Sequence, residues 1–252
     1  MSAVCVGNDV VDLEQPRTHG RAGDERFVQR VLAPAEAVEV RGAPDPDLEL
    51  WCRWAAKEAG FKVISKLIGT PPRFVHRSFE VAWTAAGAGA STKHAGSGLD
   101  RPIRTGTVRY RGFEALVAVA LFPGTLHAVS FATREGNAGA VSVSARLESL
   151  DSPGSAWDGA LEVLRQRLSA RESDAVYSRA SAAVRLGARR ELADVLGVAE
   201  ERLEIVCAPG PTSQRPPRVL LDGRETEADV SLSHDGHWIA WVLWAGTREA
   251  RA

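Results

Sequence analysis

The chain has 252 residues, of which 44% are hydrophobic and 25% are charged, a balance typical of a globular protein with one or two buried cores. Its 31 Lys and Arg residues nearly match its 32 Asp and Glu residues, so no overall basic field indicates a nucleic-acid-binding protein. The longest apolar runs, at 115–122 and 238–245, are far shorter than the roughly 20 residues of a membrane helix and predict buried strands.

The cysteines and the N-terminus predict a cytoplasmic protein. Three cysteines lie far apart, without the spacing of a disulfide framework or a zinc site. The first residues lack the basic segment and apolar stretch of a secretory signal.

The lysines are unevenly placed. Only four of the basic residues are Lys, and Lys57, Lys62 and Lys66 fall within ten residues of one another. This is either chance or a requirement for a compact ammonium group, which the planar guanidinium of Arg does not replace.

The hydrophobic pattern predicts an α+β fold. Its first part contains, in order, a strand at 3–13, a helix at 25–40 interrupted near Pro34, a loop at 41–47, a helix at 48–68 ending at Gly69, and strands at 74–84, 106–113 and 115–122. The small, polar residues 85–100, which include Lys93, predict a mobile loop.

A second series follows. It contains a strand at 139–147, a connection at 150–158, helices at 159–171 and 174–196, a strand at 203–207, a loop at 209–217 and a strand pair at 228–244. A strand, a long helix and a strand pair thus occur twice, about 125 residues apart. This repeat predicts two similar halves, 1–135 and 136–252. We expect a pseudo-twofold axis to relate them and a site to lie between them. The alternative is a chance similarity between the two series, of the kind that any α+β protein shows.

Acidic residues interrupt the first strand. A carboxylate inside an apolar strand is costly unless it is paired or bound to a metal, which makes Asp9 a candidate site residue. Asp9 and Asp12 have opposite parity, so a straight strand directs only one of them to a shared site. The alternative role for Asp9 is to cap a turn.

Charged residues also interrupt the apolar stripe of the helix at 48–68. At 100° per residue that stripe consists of Leu50, Trp54, Phe61, Ile64 and Ile68. Lys57 falls within the stripe, Glu58 lies at its edge, and Lys62 follows Glu58 by one turn. A snorkelling lysine and an i,i+4 ion pair explain Lys62, but they explain Lys57 and Glu58 poorly, so this pair predicts a buried site with a charged occupant.

The third cluster is DVSLSHDGHW at 229–238. Asp235-Gly236 predicts a hairpin, and alternation places Ser233 and His234 on opposite faces of the strand before it. A lone His there is more often a core residue, and an anion site is the other interpretation. A Ser-His-Asp hydrolase is disfavoured because a G-x-S-x-G motif is absent.

Together these segments resemble motifs of the 4′-phosphopantetheinyl transferase superfamily. GNDVVDLE at 7–14 resembles the opening G-x-D strand, ERFVQRVLAPAE at 25–36 the F-x-x-R-V-L helix of the small holo-acyl-carrier-protein synthases, and RWAAKEAGFK at 53–62 their W-A-A-K-E-A-x-x-K motif. RPPRVLLDG at 215–223 and DVSLSHD at 229–235 resemble two later motifs of that family, in the same order.

The chain departs from the small synthases in length, because they are roughly half its size. Residues 177–197, with the segments after them, resemble the first half of the larger two-half transferases of the surfactin-synthetase-activating type, so the order of halves is reversed here. Val11 stands where the two-half enzymes usually carry a second acidic ligand, whereas Asp12 matches the small type. The resemblance implies the α+β transferase fold of two halves in a monomeric chain.

The resemblance also implies an activity, which is Mg²⁺-dependent transfer of 4′-phosphopantetheine from coenzyme A to a serine of an apo acyl or peptidyl carrier protein, with release of 3′,5′-ADP. Mn²⁺ is expected to support the same activity in place of Mg²⁺. The implied catalytic residues are Asp9, Glu58 and Lys62, and the implied metal ligands are Asp9, Glu58 and Asp12. The implied coenzyme A contacts are Lys57, Lys62, Arg179, Arg185, Arg215, Pro216, Ser233 and His234.

Partner binding is the remaining expectation. Carrier proteins are acidic, so a basic surface with apolar residues is expected to bind them. The candidate residues, which form either this docking patch or an ordinary charged surface, are Arg17, Arg21, Arg26, Ile64, Lys66, Leu67 and Ile68. Neither a nucleic acid nor a membrane is expected as a partner. Two other functions stay open, a non-catalytic module that binds coenzyme A or a carrier protein, and an unrelated Mg²⁺-dependent phosphohydrolase.

Overall fold

A computed structural model describes residues 3–84, 94–95, 102–134, 141–152, 154–208 and 215–246. Its helices are α1 (Glu25–Val31), α2 (Pro34–Arg41), α3 (Pro46–Ile68), α4 (Leu161–Arg165), α5 (Ala170–Ser173) and α6 (Arg179–Leu196). Its strands are β1 (Val4–Asp12), β2 (Glu80–Trp83), β3 (His94–Ala95), β4 (Arg104–Tyr110), β5 (Phe113–Phe122), β6 (Thr125–Thr133), β7 (Val143–Ser149), β8 (Leu203–Val206), β9 (Arg218–Leu221), β10 (Arg224–Glu225), β11 (Asp229–Asp235) and β12 (Trp238–Trp244). Apart from 94–95, the predicted loop at 85–100 lies outside the described residues, as does Lys93, and so do residues 209–214.

Helix α3 confirms the predicted helix and has a clear start and end. The Asp45 carboxylate accepts a hydrogen bond from the Leu48 amide, and Pro46 occupies the first turn. Gly69 ends the helix with a φ of 82°, a conformation that glycine adopts without strain. The break predicted near Pro34 is also confirmed, because α1 and α2 are separate helices.

The predicted helices of the second part were too long. The predicted 159–171 helix forms only α4 and α5, since Ser169 starts a new helix with a capping box. The predicted 174–196 helix begins at Arg179, because the Ser178 side chain caps it by accepting from the Ser181 amide.

Strand predictions failed at several places, and β9 and β10 were among the strands that were not predicted. Residues 74–84 form a strand only in β2. Strand β6 was missed because Thr125, His127 and Ser130 interrupt its apolar pattern, although it is largely buried on both faces between β1 and β5. Pro123-Gly124 before it was the available turn signal.

The strands form sheets with a related order in the two parts of the chain. The five-stranded sheet has the order β1-β6-β5-β4-β2, and the four-stranded sheet has the order β11-β12-β7-β3. In the first predicted half, the last strand, β6, lies between the first strand, β1, and the preceding strand, β5. In the second predicted half, the last strand, β12, likewise lies between the first strand, β7, and the preceding strand, β11. This shared order supports two similar halves, while their boundary and the pseudo-twofold axis stay predictions.

Each sheet packs against one long helix. Helix α3 lies against the five-stranded sheet, and α6 against β11 and β12 of the four-stranded sheet. A third apolar cluster joins the two sheets, with Val6 and Val129 on one side and Val242 and Trp244 on the other. The fold is therefore α+β, as predicted. Among the helices that the structure describes, none is long and apolar enough to cross a bilayer.

Gly7 sets the distance between β1 and α3. A Cβ atom there would overlap the Ala59 carbonyl oxygen and lie 2.9 Å from Val63 Cγ2. We expect Gly7→Ala to lower the free energy of unfolding by about 1–3 kcal/mol, because the helix must move away from the strand. Urea unfolding measures this, with Gly23→Ala as the control, since nothing lies within 4 Å of a Cβ at Gly23. Equal stability of the two variants would contradict the close contact.

Candidate active site

The site lies where β1 runs parallel to β11 along a seam between the two parts of the chain. Alternate β1 amides donate to β11 side chains instead of to a neighbouring backbone. The pairs are Val6 N with Asp229 (2.7 Å), Asn8 N with Ser231 (3.0 Å), Val10 N with Ser233 (3.1 Å) and Asp12 N with Asp235 (2.9 Å). The seam therefore fixes the position of β1 relative to β11.

Asp9 and Glu58 are electrostatic neighbours at this seam, brought together by the close approach of α3 to β1. Burial raises the pKa of Asp9 to about 7; Lys62 opposes this shift, and the negative charge of Glu58 adds to it. Ser233 Oγ donates to Asp9 Oδ1 over 3.1 Å. Asp9 therefore binds a proton more readily than an ordinary carboxylate does.

Glu58 has a partner that the sequence analysis missed. His76, in the turn His76–Ser78, places its Nε2 atom 3.1 Å from Glu58 Oε1. Because His76 lies 18 residues beyond Glu58 in an irregular segment, no sequence periodicity connects the two.

Lys62 connects the carboxylates to a cleft. Its Nζ atom lies 3.5 Å from Asp9 Oδ1 and donates to the Asn8 carbonyl over 2.6 Å, and its side chain also lines the cleft. This cationic cleft has a volume of about 250 Å³ and opens between α3 and the second part of the chain. Its polar and aromatic lining includes Lys62, Lys66, Tyr177, Arg185, Arg215 and His234.

Four of the other predicted ligand contacts share this cleft, namely Arg185, Arg215, Pro216 and His234. Burial lowers the pKa of His234, and the positive charge of Lys62 lowers it further. Arg185 is nearly buried and donates to the Ile205 carbonyl over 2.8 Å, so part of its guanidinium already has a protein partner.

Lys57 does not join the cleft, contrary to its predicted role. Its side chain is 0% exposed, and its Nζ atom lies 2.5 Å from Glu36 Oε2 and donates to the Val31 carbonyl over 3.0 Å. The helical pattern correctly predicted that Lys57 is buried beside a charged group, but that group is Glu36 of α2 and not a ligand. Burial lowers the pKa of Lys57, and Glu36 opposes that shift.

Two more predicted contacts lie elsewhere. Ser233 turns towards β1, where it bonds Val10 N and Asp9, so it holds a carboxylate and does not line the cleft. Arg179 donates to the carbonyls of Trp157 (3.1 Å) and Leu150 (2.9 Å) and so holds the segment before α4.

Asp12 does not join Asp9, as their opposite parity predicted. Its side chain is 1% exposed and accepts from the Glu14 amide and from Gln15 Nε2, both over 3.0 Å. Its predicted role as a metal ligand does not agree with this turn-capping arrangement. Val11 lies on the same face as Asp9 but is buried in the apolar core.

The predicted docking patch is divided. Ile64 is buried, and Lys66 turns into the seam, where Nζ bonds Asp229 (2.9 Å) and the Val6 (2.8 Å) and Val230 (2.7 Å) carbonyls. Leu67 is partly buried, whereas Ile68, Arg17 and Arg26 are exposed and Arg21 is partly exposed.

The chemistry of the site fits a small divalent cation bound together with a phosphate ligand. Within the described residues, no group of three or more His, Cys, Asp or Glu side chains is arranged to hold a metal. Mg²⁺ commonly takes one or two carboxylates and fills its other positions with water and phosphate oxygens. Asp9 and Glu58 would supply these carboxylates, and the cationic cleft beside Lys62 would hold the phosphate.

The titration of Asp9 predicts a pH-dependent stability. Because its pKa of about 7 in the folded protein exceeds the ordinary 3.8, the contribution of Asp9 to stability is fully present below about pH 4 and is lost as pH rises to about 7. Asp9→Asn removes this loss, so in EDTA at pH 8 the variant should melt at a higher temperature than the wild type. A lower melting temperature for Asp9→Asn at pH 8 would contradict the arrangement.

The profile of the 4′-phosphopantetheinyl transferase superfamily matches residues 5–112. A holo-[acyl-carrier-protein] synthase of Chlorobaculum parvum is 33% identical over 90 residues, covering 36% of this chain and 75% of that protein. The chain belongs to this superfamily.

Other members of the superfamily match over shorter spans. The holo-[acyl-carrier-protein] synthase of Shewanella baltica (strain OS223) is 39% identical over 77 residues, which is 30% of this chain and 60% of that protein. The solved structure of holo-[acyl-carrier-protein] synthase from Neisseria meningitidis is 20% identical and covers 50% of this chain and 95% of that chain, with a TM-score of 0.35, too low to bear on the fold. The match thus spans about 60% of the length of the Shewanella relative.

Proposed function

We propose that this superfamily member transfers the 4′-phosphopantetheine of coenzyme A to a serine of an apo acyl or peptidyl carrier protein. The observation that carries the proposal is the position of Lys62, which lines the cationic cleft and also lies 3.5 Å from the Asp9 carboxylate. A phosphate-rich ligand in the cleft would therefore extend directly to the Asp9–Glu58 pair.

The cleft has the chemistry that coenzyme A requires. Lys62, Arg185 and Arg215 supply positive charge for phosphate groups, and His234 supplies a ring nitrogen beside them. Tyr177, 71% exposed at this cleft, offers an aromatic face for a planar base.

Each residue near the carboxylates has a distinct part in the reaction. Asp9 and Glu58 would hold Mg²⁺ or Mn²⁺, which neutralises charge on the transferred phosphoryl group. The serine oxygen bonds to the phosphorus that carries pantetheine, the bond from that phosphorus to the bridging oxygen breaks, and 3′,5′-ADP leaves with the bonding electron pair.

The serine proton passes to a carboxylate, and Glu58 is the more accessible of the pair, with its side chain 23% exposed against 14% for Asp9. Lys62 directs an ammonium group towards the pyrophosphate.

The same proposal specifies a docking surface for the carrier protein, an oligomeric state and a compartment. The acidic carrier protein would dock on the exposed part of the predicted patch, Arg17, Arg21, Arg26 and Ile68. One chain supplies both walls of the cleft, so a monomer would suffice for activity, and we propose that it acts in the cytoplasm.

The test is intact-mass measurement of a panel of apo carrier proteins after incubation with coenzyme A, Mg²⁺ and this protein. We expect one phosphopantetheine to be added to a carrier serine. Coenzyme A binding without any mass gain would favour the non-catalytic module, and pyrophosphate cleavage without a carrier would favour the phosphohydrolase. Either result would overturn the transferase proposal.

A further inference from the structure

His76 is held more firmly than a surface histidine needs to be. Its ring lies between two aromatic side chains, with centroids 4.0 Å from Trp54 and 4.2 Å from Phe74. Only 18% of its side chain is exposed. The ring therefore has little freedom to rotate, and its Nε2 atom remains directed at Glu58.

The backbone of His76 is also fixed, and from the core. Lys57 Nζ donates to the His76 carbonyl over 3.3 Å, while the same ammonium is held by Glu36. A buried ion pair thus anchors the turn that carries the imidazole. Contacts run from Glu36 through Lys57 to His76, and from His76 to Glu58.

A carboxylate only accepts hydrogen bonds, so His76 Nε2–H is the donor to Glu58 Oε1. That bond occupies one oxygen of Glu58 and leaves the other available for an incoming cation. Hydrogen bonds to a ligating carboxylate fix its orientation before the ion arrives.

We propose that His76 is a positioning residue that orients the Glu58 carboxylate for divalent-cation binding. The inference rests on the proposed function, because that function makes Glu58 a cation ligand. It also gives Lys57 a role in the site, since Lys57 acts through the His76 backbone without touching the ligand.

Direct Mn²⁺ binding to the free protein, followed by the electron paramagnetic resonance signal of unbound Mn²⁺, tests the proposal without a turnover assay. His76→Phe keeps an aromatic ring between Trp54 and Phe74 but removes the donor. His76→Gln supplies an amide donor but loses the ring. Glu58→Gln defines the binding that depends on this site.

We expect His76→Phe to weaken Mn²⁺ binding by about ten- to a hundredfold with a melting temperature close to that of the wild type. His76→Gln should bind Mn²⁺ more tightly than His76→Phe even where it is less stable, because the hydrogen bond matters more than the packing. Wild-type affinity in His76→Phe would overturn the positioning role and leave the proposed function standing. Absence of Glu58-dependent Mn²⁺ binding in the wild type would instead overturn the cation site of the proposed function and, with it, this inference.

Discussion

Replacement of Glu58 by Gln is expected to reduce the rate of phosphopantetheine transfer by about 10²–10⁴-fold. The amide keeps the size of the side chain and can still accept from His76, so the fold should be unchanged. It removes both the negative charge beside Asp9 and the proton acceptor. Intact-mass time courses with an apo carrier protein measure the effect.

The control for this variant is Glu201→Gln, an exposed carboxylate in the turn Glu200–Arg202 that does not line the cleft. It should transfer at the wild-type rate. Full activity in Glu58→Gln would show that the Asp9–Glu58 pair is not the reacting centre.

Replacement of Lys57 by Met is expected to have the largest effect on stability. It leaves the Glu36 carboxylate, which is 5% exposed, without its ammonium partner and with the Arg53 guanidinium 3.7 Å away as a remaining cation. The loss should therefore approach the roughly 3–5 kcal/mol that removal of one member of a buried pair costs. Adding Glu36→Gln should recover part of the loss, because the remaining side chain is then neutral. Urea unfolding of the single and double variants measures both changes.

The exposed pair of Arg109 and Glu114 provides the matched comparison, since Arg109→Met should change stability very little. Lys57→Met also distinguishes a structural role of Lys57 from a role in binding coenzyme A. Wild-type stability of Lys57→Met with a large loss of coenzyme A affinity would restore the phosphate contact that the family motif implied and remove the structural role found here.

Local sequence patterns were sufficient for the elements that carry the site. A final glycine and the apolar stripe predicted α3 to within two residues, and parity correctly separated Asp9 from Asp12. The same alternation placed Ser233 and His234 on opposite faces, which is where the structure has them, although the family resemblance had assigned both to coenzyme A.

Contacts between distant segments could not be predicted in the same way. The seam joins residues 223 positions apart, such as Asn8 and Ser231, and nothing in either segment specifies the other. The periodicity of α3 shows that Lys57 is buried but does not show that Glu36 of α2 pairs with it. His76 was missed because its partner, Glu58, is determined by the path of an irregular segment.

We propose that the cationic cleft and the Asp9–Glu58 pair form one site for coenzyme A. Arg215 lines this cleft, whereas Arg218, three residues on, pairs with Glu225 at the surface and does not line it. Calorimetric titration of coenzyme A into Arg215→Gln and Arg218→Gln therefore tests whether coenzyme A binds in the cleft. We expect affinity to fall about tenfold or more in Arg215→Gln, through loss of a charged hydrogen bond, and to stay at the wild-type value in Arg218→Gln. Equal affinities of the two variants would place coenzyme A outside the cleft and contradict the claim.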